Sequence, residues 1–286
     1  MRTGKLGNLP TTAVIAKPPK TLGIIAGNGL YPRLLVDSAR KAGVNKIVAV
    51  AFSEETDPAL ARHVDEIKWL CVGQLGQLLK FFREHGAPQA IMAGQIAPKN
   101  LFDLRPDWKA LLLLAKLKRR NAETIFAAIA DELAKIDVDL LPATTFLEDF
   151  LAPAGLIAGP RLSRRNEEDV ELGWKIAKEI ARLDIGQTVV IKNGTVLAVE
   201  GFDGTNETIR RGGKIAGKGA IMIKVAKSNQ DMRFDVPVIG AETVRIASEV
   251  NVRAIAIEAG RTLLLEKEAL ILFANESRVS IIGRSA

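Results

Sequence analysis

Between two apolar elements in the C-terminal third lies a charged loop, residues 224–240, whose side chains have the types and spacing to meet a phosphorylated group. Lys227, Gln230, Asp231, Arg233 and Asp235 supply two cations, two carboxylates and an amide within nine residues. In an extended segment side chains alternate, so Asp231, Arg233 and Asp235 are expected on one face, with Met232 and Phe234 anchoring the other. Two carboxylates and a guanidinium aimed at one point suit a metal ion bound to a phosphate. On composition alone, a solvated loop tied down by salt bridges is an equal alternative. A second candidate is Gly27-Asn28-Gly29, where glycine lets backbone N–H groups approach a phosphate at a helix N-terminus. Pro32 stands where a dinucleotide fingerprint wants its third glycine, and the acids Glu54 and Glu55 fall beyond the next strand, behind Ser53. Asp137-Val138-Asp139 has the spacing of an aspartyl-phosphate nucleophile pair, but Leu141 breaks the pattern and a surface turn is expected.

These loops need a frame that brings strand ends together. Residues 21–27 read as a strand meeting the glycine turn, followed by a helix to about Ala42 with Pro32 in its first turn. Strands at 47–52, 66–71 and 90–93 and a helix at 75–84 complete an alternating pattern, which predicts a parallel sheet covered on both faces. An apolar helix with a basic end runs from Trp108 to Arg120, and another from Asn121 to Lys135. Pro and Gly in residues 151–165 break both periodicities and read as an interdomain linker. Beyond it, Asn166 is expected to cap a helix opened by Glu167, Glu168 and Asp169. Asn193-Gly194 between residues 188–192 and 195–199 predicts a hairpin with a type I′ turn. A short helix carries Arg210 and Arg211; a strand at 220–223, a helix at 241–250, a strand at 254–257, a strand or helix at 265–274 and a strand at 279–282 follow. The expected class is α/β: a disordered extension at 1–20, a Rossmann-like parallel-sheet domain at 21–150, a linker at 151–165 and a mixed α/β domain at 166–286.

Composition narrows the chemistry. With one cysteine, Cys71, and two histidines, His63 and His85, there is no soft ligand set for zinc, so any metal is expected to be hard and oxygen-bound. Histidine poverty also argues against binuclear metallophosphoesterases. A net charge of +7 favours an anionic partner. Aromatics at 5% and dispersed basic residues give no support to nucleic-acid binding. No apolar run reaches the roughly 18–20 residues that span a bilayer, and the N-terminal apolar run at 11–16 is too short for a signal peptide, so a cytoplasmic protein is expected. The apolar helix 111–120 reads as core with a solvated end, as a membrane contact, or as the lining of a lipid cleft.

The loop pattern Lys227, Gln230-Asp231, Arg233, Asp235-Val236-Pro237, Ile239-Gly240 resembles the signature of the UDP-2,3-diacylglucosamine diphosphatases of the LpxI type, with Ser228 and Val236 in place of that family's usual Pro and Leu. The glycine turn, Ala93-Gly94-Gln95 with Leu101-Phe102, Asp184-Ile185-Gly186-Gln187, Leu197-Ala198-Val199-Glu200, Gly204-Thr205, Arg211 and Glu258-Ala259-Gly260-Arg261 extend the resemblance over about residues 21–283; Asn206 departs from the usual Asp. The resemblance implies hydrolysis of the pyrophosphate of UDP-2,3-diacylglucosamine to UMP and 2,3-diacylglucosamine 1-phosphate in lipid A biosynthesis, with Mg²⁺, alternatively Mn²⁺, at Asp235 and Asp231. It implies attack at the sugar-side phosphorus and a ligand held between two domains. Asp235, Asp231 and Arg233 are the expected catalytic residues. Gly27, Asn28, Gly29, Gly94, Thr205, Arg211, Lys227, Gln230, Glu258 and Arg261 are the expected substrate contacts. The inner-membrane surface is an expected partner, nucleic acid is not, and a homodimer is left open. Two rivals stand beside this reading: a nucleotide-cofactor oxidoreductase using the glycine turn, and a non-catalytic lipid- or nucleotide-binding protein.

Overall fold

The computed structural model describes residues 17–96, 106–118, 121–227 and 230–285. They form two compact units, one drawn from Met1–Glu148 and Met232–Phe234, the other from Asp149–Asp231 and Asp235–Ala286. Sixteen residues of the expected N-terminal extension, 1–16, lie outside the described residues, as do Leu101 and Phe102.

The first unit alternates β1 (Thr21–Ala26), α1 (Tyr31–Lys41), β2 (Lys46–Phe52), β3 (Glu66–Leu70), α2 (Leu75–Glu84), β4 (Gln89–Ala93), α3 (Trp108–Lys116), α4 (Ala122–Ala134) and β5 (Asp139–Leu140). Strands β1 and β2 are buried along nearly their whole length, the signature of a sheet covered on both faces. All five strands pair in parallel, in the order β3-β2-β1-β4-β5. Tyr31, Leu35, Val36 and Ala39 recur at helical spacing and seat α1 on the sheet, while Pro32 occupies its first turn, where no N–H partner is lost. Phe82 is fully buried and so close to Gly23 that a Cβ there would sit 3.0 Å from its ring. Removing that ring should cost about 3–5 kcal/mol.

Strand order reverses between β1 and β4, which opens a crevice at their carboxyl ends. The two turns there touch backbone to backbone: Gly27 N–H donates to Ala93 O at 2.8 Å and Asn28 N–H to Gln95 O at 2.7 Å. A Cβ on Gly27 would lie 2.5 Å from Gln95 O, and one on Gly94, whose φ is 93°, would lie 2.6 Å from Asn28 O. Glycine is required at both positions by this approach.

The second unit contains β6 (Gly155–Ala158), α5 (Arg164–Arg182), β7 (Thr188–Lys192), β8 (Thr195–Val199), α6 (Gly204–Ala216), β9 (Ala220–Lys224), β10 (Val238–Ile239), α7 (Ala241–Glu249), β11 (Val252–Glu258), β12 (Leu263–Leu264), α8 (Lys267–Glu276) and β13 (Ser280–Arg284). Its main sheet runs β6-β13-β11-β9-β7-β8; β9, β11 and β13 are parallel, and β6 and β7 run against them. A short pair, β10 with β12, is parallel. The fold is the mixed α/β arrangement expected from the sequence.

Three expectations change. The tract 151–165 is not a free linker: Gly155–Ala158 is an edge strand on β13, and Ala152 N–H donates to Thr262 O at 2.9 Å. Its Pro and Gly belong to an edge and to a close approach, since a Cβ on Gly283 would meet Pro153 O at 1.8 Å. Helix α5 starts one turn before Asn166, because Ser163 is the cap and accepts from Asn166 N–H at 3.4 Å. Asp169, read as a helix-opening acid, is buried and accepts the N–H groups of Asn193 and Gly194 at 2.8 and 2.6 Å. Those two residues have φ of 50° and 76°, as a type I′ turn requires, so Asp169 pins the predicted hairpin.

Candidate active site

The carboxyl end of β9 collects polar groups. Antiparallel register sets Thr188, the first residue of β7, opposite Lys224, the last of β9, and Val225 N–H donates to Gln187 O at 3.0 Å. Glu200 follows β8, and its N–H returns to Thr188 O at 2.9 Å. Gly186 lets this happen, since a Cβ would lie 2.3 Å from Glu200 O. Helix α6 then brings Thr205 in on its first turn. Lys224 Nζ donates to Thr205 Oγ1 at 2.8 Å, Thr205 Oγ1 to Glu200 Oε1 at 2.7 Å, and Gln187 N–H to Glu200 Oε2 at 3.0 Å. Burial pushes the Lys224 ammonium below its usual range, while Glu200 and Asp235 pull it back up.

Asp235 belongs to the same cluster. Gln187 Nε2 approaches its Oδ2 at 3.4 Å. Burial raises its carboxyl above the usual aspartate range; Lys227, Gln230 and Lys224 oppose the rise, and Asp184 adds to it. Lys227 Nζ is ion-paired with Asp184, and Lys227 N–H donates to Gln230 Oε1 at 2.7 Å. The site therefore carries two ammonium groups, the carboxylates of Asp235, Glu200 and Asp184, and several hydroxyl and amide groups at strand ends, where α/β proteins bind ligands.

The extended-face reading of the loop is corrected. Asp235 N–H donates to Asp231 O at 3.0 Å, closing residues 231–235 into a turn. The acids lie one turn apart rather than on one strand face. Met232–Phe234 group with the first unit, where Met232 O accepts from Ala143 N–H at 2.7 Å and the Phe234 ring lies 5.6 Å from that of Phe126. The Arg233 guanidinium lies 6.0 Å from the centroid of the Phe234 ring. Ser228 and Asn229 lie outside the described residues.

Of the remaining expected contacts, Thr205, Lys227 and Gln230 converge on Asp235 and Lys224, as the bonds above show. Arg211 is held two turns along α6, by Asp203 at 2.7 Å and Val199 O at 3.0 Å. Glu258 is 0% exposed and accepts from Ala226 N–H at 2.8 Å, with Arg261 beside it. Gly27, Asn28, Gly29 and Gly94 belong to the crevice of the first unit. A cavity of about 740 Å³ beside them is lined by Asn28, Glu54, Glu55, Thr56, Asp57 and Trp69 among others, with no cation. Asp137 is exposed in a turn, as expected, and Asp139, also exposed, opens the edge strand β5. The sequence assigns no role to Lys224, Gln187, Glu200 and Asp184, although the last three stand in motifs that carry the resemblance. The one local signal for Lys224 was a lysine closing an otherwise buried apolar strand.

Among the described residues no three acids, histidines or cysteines cluster as a metal cage. An ion at Asp235 would be held by one or two carboxylates and completed by phosphate oxygens.

Fold and site together define a two-unit α/β protein whose second unit holds cations and a half-buried carboxylate for work on a charged group. Residues 21–150 match the LpxI N-terminal domain and residues 153–282 the LpxI C-terminal domain, so the chain belongs to the LpxI family. It is 28% identical over 275 residues to the UDP-2,3-diacylglucosamine pyrophosphatase LpxI of Caulobacter vibrioides, covering 92% of this chain and 97% of that one. Among solved structures, the biotin carboxylase domain of Hydrogenobacter thermophilus 2-oxoglutarate carboxylase matches at 12% identity and TM-score 0.24, over 61% of this chain and 35% of that one, a likeness too slight to carry an argument.

Proposed function

We propose that this protein hydrolyses the pyrophosphate of UDP-2,3-diacylglucosamine, releasing UMP and 2,3-diacylglucosamine 1-phosphate for lipid A biosynthesis. The observation that carries this is Asp235, a carboxylate with raised proton affinity, set among Lys224, Lys227 and Gln187 in a loop with the family's pattern. Lys224 and Lys227 neutralise the phosphate oxygens, and Thr205, Gln187 and Gln230 hold them by hydrogen bonds. Asp235 orients the attacking water and takes its proton, a task for which a raised carboxylate is better suited than a surface one. The water oxygen bonds to the sugar-side phosphorus, and the bridging oxygen leaves with UMP. Bound at Asp235, with Asp231 one turn back, Mg²⁺ would add positive charge against the same oxygens.

Access to a diacylated substrate favours a cytoplasmic protein working at the inner-membrane surface. Among the described residues no helix is long and apolar enough to cross a membrane. Helix α3 leaves Trp108, Leu111 and Leu112 exposed, at 74%, 47% and 46%, on an element that also carries Lys109 and Lys116. The decisive experiment is UMP release from UDP-2,3-diacylglucosamine by the purified chain. Turnover that is absent under all metal conditions would leave the non-catalytic binding reading in its place.

A further inference from the structure

Strand β9 ends at Lys224, and the chain then runs through Ala226 and Lys227 toward Asp235. Among the described residues no strand pairing covers Ala226 and Lys227. Gln230 holds Lys227 locally, accepting from its N–H at 2.7 Å and donating its own N–H to Lys227 O at 3.3 Å, and charged side chains from distant elements reach both residues. Ala226 N–H donates to Glu258 Oε2 at 2.8 Å, and Lys178 Nζ donates both to Ala226 O at 3.1 Å and to the same Glu258 oxygen at 2.6 Å. Arg261 donates to Lys227 O at 3.3 Å and pairs with Glu258 Oε1 at 3.6 Å. The Lys178 ammonium is steadied by the Trp174 ring, 5.7 Å from its centroid. Glu258 is wholly buried, and a buried ionic group of this kind is a poor means of gaining stability compared with packed apolar residues. What it does well is fix geometry, because each hydrogen-bonded charge tolerates little displacement in a low-dielectric surrounding. Lys227 is the residue whose carbonyl Arg261 holds, and its ammonium pairs with Asp184 and bears on Asp235.

We propose that Lys178, Glu258 and Arg261 form a positioning clamp that sets the backbone of Ala226 and Lys227, and through it the placement of Lys227 against Asp235, without touching substrate. The inference rests on the reading of that loop as catalytic.

The test uses the full chain with Glu258→Gln, Lys178→Met and Lys178→Arg, read by steady-state UMP release and by amide hydrogen exchange over residues 225–231. Loss of the clamp should lower kcat about thirtyfold or more with KM within about threefold, as expected for a displacement of reacting groups. Exchange at Ala226 should quicken about tenfold or more, and Lys178→Arg should recover most of both. Because Lys178 lies at the edge of the cluster, Lys178→Met remains informative if Glu258→Gln does not fold. Unchanged exchange, or quickened exchange with wild-type kcat, would overturn the clamp. So would a KM rise matching that of Lys227→Ala, since that marks direct substrate contact. If the wild-type chain releases no UMP, the functional reading fails on its own, and exchange still decides whether the clamp orders the loop.

Discussion

Lys224 Nζ donates to Thr205 Oγ1 at 2.8 Å, tying the last residue of β9 to the first turn of α6. The bond places an ammonium beside the positive end of a helix, an arrangement that disfavours the cation unless an anion arrives. Glu200 and Asp235 supply part of that anion, and a pyrophosphate would supply the rest.

Lys224→Met should therefore lower kcat/KM by about a hundredfold or more, with most of the loss in kcat, since charge on the phosphates grows toward the transition state. Thr205→Val should show a smaller effect in the same direction. Steady-state kinetics on both variants checks this; activity within about threefold of wild type would remove Lys224 from the mechanism.

Asp235→Ala should cut kcat by about a hundredfold or more with melting temperature unchanged or higher and substrate binding retained, whereas Asp231→Ala should be milder. If Asp235→Ala turned over at nearly the wild-type rate, the loop would not be the catalytic centre.

The raised carboxyl of Asp235 also has a stability consequence. Its folded pKa lies above its unfolded value, so the folded state binds the extra proton between the two, and stability falls as pH rises through that window. At neutral pH Asp235→Asn, which cannot ionise, should melt about 1–3 °C higher than wild type, and the gap should close below the unfolded pKa of aspartate, near 4. Melting curves from pH 3.5 to 7.5 test it; a variant that gained nothing at pH 7 would contradict the assignment of burial as the dominant cause.

Metal dependence is a separate matter. Excess EDTA should abolish UMP release, and Mg²⁺ or Mn²⁺ should restore it, because the donors near Asp235 are oxygens. Full turnover by metal-stripped protein on metal-free substrate would sink this prediction.

Leu111→Glu and Trp108→Ser on α3 should weaken sedimentation with anionic phospholipid vesicles several-fold while leaving the fold intact, since both side chains are exposed. Equal sedimentation of wild type and variants would take α3 out of the membrane reading.

Local chemistry alone determined much of this protein. Continuous apolar runs bounded by Gly and Pro marked β1, β2 and β9, and Asn193-Gly194 marked the hairpin, because turn geometry and burial leave their imprint on neighbouring residues. The family pattern likewise made Lys227, Gln230 and Asp235 legible as a group. Tertiary structure alone decided the rest. Asp169 looks like a helix-opening acid until the hairpin turn comes to lie against it, and the Pro/Gly tract at 151–165 looks like a linker until β13, over a hundred residues later, supplies the sheet edge that pairs with β6. Asp231 and Asp235 look like neighbours on one strand face until the chain turns between them, and Glu258, read as a substrate contact, is a buried carboxylate that Lys178, eighty residues away, reaches. A side chain's role depends on the dielectric and the partners around it, and for these residues folding brings the partners from far along the chain.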